Sequence, residues 1–114
     1  MYYFEKLLVW QESVVLIKLI YKFSNKLPKE EKFGLIDQIK RAVTSISLNI
    51  AEGSGSGSKK SFSAYLDNAK RSLYEVVAIL KICNNLFSVN IGYELSQCDN
   101  VIKLLQGLIK KLKS

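Results

Sequence analysis

Histidine is missing from all 114 residues, and the chain has only one proline, one tryptophan, one methionine and two cysteines. Without histidine the commonest general base is gone, and with it the usual catalytic triads and most mixed zinc sites. Cys83 and Cys98 are too few to make a thiolate metal site on their own or a disulfide framework. Two small buried apolar residues are the preferred reading of them, a redox pair the alternative. Long apolar runs are also missing: the stretch from Leu7 to Phe23 is broken by Gln11, Glu12, Lys18 and Lys22, too polar to cross a membrane. Met1-Tyr2-Tyr3-Phe4-Glu5 lacks the basic start of a signal peptide, so a cytoplasmic protein is expected.

What is present is apolar and basic. A hydrophobic fraction of 48% with Pro28 as the lone proline argues for a packed fold rather than disorder. At this length the chain reads as a single domain, residues 1–114, able to bury a core without metal or disulfide staples. Seventeen Lys and Arg against ten Asp and Glu leave a net charge of +7. The charge is spread: +2 over residues 1–27, 0 over 28–52, +3 over 53–87 and +2 over 88–114. Such a distribution suits a nucleic-acid or other polyanion surface, and it equally serves to keep a lysine-rich protein in solution.

Four segments carry helical periodicity. In the first, Leu7, Trp10, Val14, Ile17 and Tyr21 form a seam spaced 3, 4, 3, 4, with a second stripe through Leu16, Ile20, Phe23 and Leu27. Its narrow polar strip, Gln11, Lys18, Lys22 and Asn25, leaves more apolar surface than one neighbour covers, so the helix is expected to lie centrally or to meet another subunit through Trp10, Leu16, Ile20 and Phe23. Ser24 to Pro28 should end it, because the residue before proline is driven out of helical geometry. The second segment is predicted to start near Pro28 or Glu30 and run to Glu52, with Glu30 and Glu31 at the favoured end of the helix dipole. Leu35, Ile36, Ile39, Ala42, Val43, Ile46 and Ile50 share one of its faces. Beside them Gln38, Arg41, Ser45, Asn49 and Glu52 gather in a polar arc of about 80°.

Gly53-Ser54-Gly55-Ser56-Gly57-Ser58 reads as a short flexible connector. It is no phosphate loop, since both glycine-rich patterns would need glycine at Ser58 and the preceding element is a helix. Ser58 is a natural N-cap for the third segment. There Phe62, Leu66, Ala69, Leu73, Val76, Leu80, Cys83 and Phe87 alternate spacings of 4 and 3, with Asn68, Arg71, Ser72 and Glu75 in a polar arc alongside. After a turn near Ser88 to Asn90, the pattern repeats in Ile91, Leu95, Cys98, Ile102, Leu105, Ile109 and Leu112. Lys110, Lys111 and Lys113 fill the last turn, where cations suit the dipole. Four such helices with short links pack most economically as an all-α, antiparallel up-down-up-down four-helix bundle.

The two polar arcs admit two readings. Gln38, Arg41, Ser45, Asn49, Glu52, Ser72 and Glu75 can satisfy one another as a structural network in which a buried Arg41 needs Glu75 or Glu52, or Gln38, Arg41, Asn49 and Arg71 can line a binding surface. Bases stack on aromatics in single-strand binders, but Tyr21, Phe62 and Tyr65 lie on apolar stripes and read as core, leaving Tyr74. Charge alone then predicts salt-sensitive binding with little sequence preference. The candidate phosphate contacts are Lys59, Lys60, Lys70, Arg71, Lys81, Lys103, Lys110 and Lys111.

Leu27-Pro28-x-x-Glu31, Gln38-Ile39-Lys40-Arg41-Ala42 and the run Ser45 to Gly53, which contains Asn49-Ile50-Ala51-Glu52-Gly53, resemble a bacterial family. These are the small four-helix-bundle proteins encoded by intervening sequences in 23S ribosomal RNA genes, similar to the accessory variability determinants of diversity-generating retroelements. Trp10-Gln11, Ser58, Phe62, Leu66 and Ala69-x-x-Ser72-Leu73-x-Glu75 extend the resemblance over most of the chain. It departs where the family often has arginine at Ser56, glutamate at Ser61 and glycine at Arg71. The change at Ser61 removes half of a capping box, and Arg71 adds a cation beside the polar arc. The resemblance implies a homo-oligomer, commonly a ring-shaped pentamer, with a basic surface, and the retroelement relatives bind a reverse transcriptase and nucleic acid.

Taken together, these features predict a non-enzymatic, homo-oligomeric accessory protein without a cofactor or metal, binding RNA or DNA through distributed Lys and Arg contacts. The alternative is a scaffold for a protein partner such as a reverse transcriptase. Metal chemistry on a carboxylate cluster is a third, weaker reading, because bundle interiors that bind metal usually supply histidines too.

Overall fold

The apolar seams become four helices in a computed structural model that describes every residue from Met1 to Ser114. They are α1 Leu8–Ser24, α2 Leu35–Ser54, α3 Lys59–Phe87 and α4 Gly92–Lys113, with 3-10 turns at Tyr3–Lys6 and Lys29–Glu31 and no strand. At 1.5 Å per residue α3 is about 43 Å long. That matches the long axis of the 43 × 21 × 21 Å molecule, whose cross-section is two helices by two. The expected all-α four-helix bundle is the observed fold. Opposed directions can be read from side-chain pairs: Ser13 meets Ser47 while Tyr21 meets Lys40. Likewise Gln38 meets Glu75 while Ser45 meets Ser72. No helix is long and apolar enough to cross a membrane.

The third seam is buried as its spacing predicts, every member from Leu66 to Cys83 lying in the core, with Phe62 and Phe87 packed against it. The first helix requires a correction. Leu16, Ile20 and Phe23, expected at a subunit interface, are 0%, 0% and 1% exposed and belong to the chain's own core. They have no surface left for a second subunit. The stripe expected to be the seam, Leu7, Trp10, Val14 and Ile17, is only half-buried, and Tyr21 is exposed with the Lys40 ammonium 4.7 Å above its ring. Two apolar stripes of similar strength share this helix, and the one that faces the centre also carries a serine. Ser13 lies on the inner stripe, bonding to the Trp10 carbonyl at 2.6 Å and the Ser47 hydroxyl at 2.7 Å, so it stays buried without an unmet polar group.

The second helix begins later than predicted. Pro28 leads into the 3-10 turn, the backbone resets at Gly34 (φ −108°, ψ −112°), and α2 starts at Leu35. Glu31 still acts at its N-terminus, accepting from the Leu35 N–H at 3.3 Å. The helix also ends later, at Ser54, so the connector is shorter than Gly53–Ser58. Gly53 lies in the last turn of α2, where α3 crosses. A Cβ on it would lie 2.6 Å from Tyr65 Cβ and 2.9 Å from Phe62 Cδ1, leaving room only for hydrogen. Ser58 caps α3, accepting from the Ser61 N–H at 3.0 Å. At the other end, Ser88 takes a left-handed conformation (φ 54°) and the Asn90 side chain accepts from Gly92 N–H at 2.9 Å, turning the chain into α4.

Candidate polyanion-binding groove

The N-terminal turns of α3 and the C-terminal turns of α4 lie side by side, and the groove between them collects lysines. Lys59 and Lys60 stand at the start of α3, ahead of its Ser63 and Asp67, and Leu112 and Lys113 come from the end of α4. The groove continues past Asp67 into a second lobe lined by Lys70, Gln106, Lys110 and Lys113. The local sequence explains the placement. Ile109 and Leu112 turn toward α3, which carries Lys110 and Lys113 to the rim, while Leu66 and Ala69 turn inward and leave Lys70 beside the groove. Five ammonium groups and one side-chain carboxylate therefore share a shallow, open surface with Ser114 at its edge.

Not every candidate cation is here. Lys59, Lys60, Lys70 and Lys110 line the groove, whereas Lys81, Lys103 and Lys111 are exposed elsewhere. Arg71 points to the polar arc of α3, where its guanidinium lies 3.4 Å from the Asn68 side-chain oxygen. Lys113 lines both lobes and was absent from the sequence-derived set, although its position one turn beyond Lys110 carried the signal.

The polar arcs meet between α2 and α3. Ser45 and Ser72 hydroxyls are 2.9 Å apart, and the Asn49 amide donates to the Ser45 carbonyl at 2.9 Å and its hydroxyl at 3.1 Å. Gln38 reaches Glu75 at 3.4 Å. Arg41 does not need the buried carboxylate expected of Glu75 or Glu52. It is exposed and pairs with Asp37 at 2.9 Å, one turn earlier on the same helix. Glu52 is likewise exposed. A second interhelical bracket has no seam or motif to announce it: Gln97 and Asn100 of α4 both donate to Glu12 of α1.

The cysteines are free and buried. Burial first, then the nearby Asp99 and Glu94 carboxylates, push the Cys98 thiol up to about 12, and burial with Glu31 raises Cys83. Both are protonated and poor nucleophiles at neutral pH. No three His, Cys, Asp or Glu side chains gather as a metal site would require.

The family model for 23S rRNA-intervening sequence proteins matches residues 5–114. Among solved structures, a protein of unknown function from the S23 ribosomal protein family of Bacteroides thetaiotaomicron is similar, with a TM-score of 0.76 at 24% identity. The match covers 94% of this chain and 100% of that one, and at this identity it speaks for the fold. A comparison with curated proteins returns no match.

Proposed function

Since the chain belongs to the 23S rRNA-intervening sequence protein family, we propose that it is a non-enzymatic, homo-oligomeric accessory protein that holds nucleic acid by phosphate contacts along the α3–α4 groove. The observation that carries this reading is the run of Lys59, Lys60, Lys70, Lys110 and Lys113 against the single side-chain carboxylate of Asp67. Mobile ammonium groups on an open groove suit a flexible polyanion and select little by sequence. Binding of RNA and single-stranded DNA should weaken steeply with salt. Lys59→Glu and Lys113→Glu should weaken it far more than Lys81→Glu, which lies off the groove. An absence of any salt-dependent mobility shift would remove the proposal.

Self-association, as a pentamer or another ring, would draw on the apolar surface that α1 keeps: the half-buried Trp10 with exposed Leu8 and Val15. Light scattering that reports a monomer at micromolar concentration would rule this out. The scaffold reading rests on a different feature. Phe33, Leu86 and Tyr93, 88%, 63% and 83% exposed, belong to the α1–α2 connection, the end of α3 and the start of α4. The bundle brings these to one end, where a protein partner such as a reverse transcriptase would dock. A pull-down recovering nucleic acid and no protein would count against it.

A further inference from the structure

Ser63 is anomalous. It is 7% exposed, and its hydroxyl is the one buried side-chain polar atom without a hydrogen-bond partner. Other hydroxyls in these helices bond back to carbonyls three or four residues earlier: Ser13 to Trp10, Ser24 to Ile20, Thr44 to Lys40 and Ser54 to Ala51. Ser63 makes no such bond, although burying a hydroxyl unpaired is unfavourable. It also lines the first lobe of the groove, between Lys59 and Lys60 on one side and Lys113 on the other.

We propose that this lobe is a seat for a phosphate monoester, with Lys59, Lys60 and Lys113 neutralising the charge and the Ser63 side chain turning its free hydroxyl, sealed from solvent in this structure, outward to donate to a phosphate oxygen. The charge count favours a monoester over a backbone diester. Three lysines and Asp67 leave the lobe at a formal +2, which a dianion balances and the single charge of a diester does not. A phosphate monoester carries close to two negative charges at neutral pH. Asp67 borders both lobes, and its carboxylate repels a phosphate that moves from the first toward Lys70 and Lys110. The N-terminal end of the α3 dipole, on which Lys59 and Lys60 sit, adds to the attraction. The same chemistry is offered by the end of a nucleic-acid strand and by free phosphate. Only the strand-end source rests on the polyanion reading above.

Titrating inorganic phosphate at constant ionic strength should shift the backbone amide resonances of Lys59, Lys60, Ser63 and Lys113 saturably. Ser63→Ala should weaken that binding about tenfold, the worth of one hydrogen bond to a charged group. The same variant should melt no lower than the parent, because it deletes an unpaired hydroxyl. A short oligoribonucleotide with a 5′-phosphate should bind more tightly than its 5′-hydroxyl twin, and Ser63→Ala should erase the difference. Saturable phosphate shifts without that preference would make free phosphate the occupant. Equal strand affinities with no saturable phosphate shift would overturn the seat and leave the polyanion reading standing. Failure of both strands to bind while phosphate still shifts these amides would overturn the polyanion reading and leave the seat.

Discussion

The side-chain amide of Asn100 donates to the Glu12 carboxylate at 2.7 Å, joining α4 to α1 across 88 positions of sequence. Gln97 reinforces the link, reaching the Glu12 carbonyl at 2.9 Å and its carboxylate at 3.3 Å. These half-buried bonds close the bundle between its first and last helices. Asn100→Ala should cost about 1.5–3 kcal/mol, the worth of one hydrogen bond to a charged group. Urea unfolding should show a lower midpoint with an unchanged slope.

Gly53 and Gly107 are both helical and should respond oppositely to alanine. At Gly53 the new methyl meets Tyr65 and Phe62 below 3.0 Å, so the crossing of α2 and α3 must open, at about 1–3 kcal/mol despite the better helix propensity. At Gly107 nothing lies within 4 Å of the added Cβ. Gly107→Ala should stabilise the fold by about 0.5–1 kcal/mol. Thermal melts of the two variants test the contrast directly.

Leu16 and Leu8 separate folding from assembly. Leu16 is fully buried and Leu8 is 56% exposed. Leu16→Ala should cost about 2–5 kcal/mol through the cavity it leaves. Leu8→Ala should change the stability of the isolated chain by no more than about 0.5 kcal/mol. Any effect of Leu8→Ala on mass by light scattering would then report self-association rather than unfolding.

Cys98 makes stability depend on alkaline pH. Its thiol, ordinarily near 9.0, is pushed up to about 12 by burial and neighbouring carboxylates. The folded state keeps the proton that the unfolded state releases, so stability is fully present below pH 9 and falls as pH rises from 9 toward 12. Cys98→Ala removes this contribution and should flatten the decline relative to the parent. In the folded parent, thiol reagents at neutral pH should react no faster than the protein unfolds.

The helices were legible in the sequence wherever one stripe dominated. On α3 the seam from Leu66 to Cys83 is the buried face, because its 4, 3 alternation runs unbroken while other apolar residues, such as Tyr74, Ile82 and Leu86, form no continuous second stripe and stay exposed. On α1 two stripes competed, and the inner one contains Ser13, a residue that pattern reading discounts. The Trp10 carbonyl three positions back and the Ser47 hydroxyl, 34 positions away, together make its burial acceptable. Arg41 differs from its expected place because Asp37 one turn back meets its charge at the surface, so no buried partner is required. The groove was half legible. The lysines of α3 and α4 were identifiable as cations, but which of them share a surface depends on how the two helices are rotated.

Sequence alone determined that this chain forms helices and where most of them turn, because apolar spacing, the Ser58 cap and the glycine-serine connector act over a few residues. Tertiary structure decided which face of α1 is inside, which lysines stand together with Ser63, and that Glu12 meets Asn100. Those outcomes depend on helix rotation and register, which are set by packing against residues far away in the chain and have no local signature.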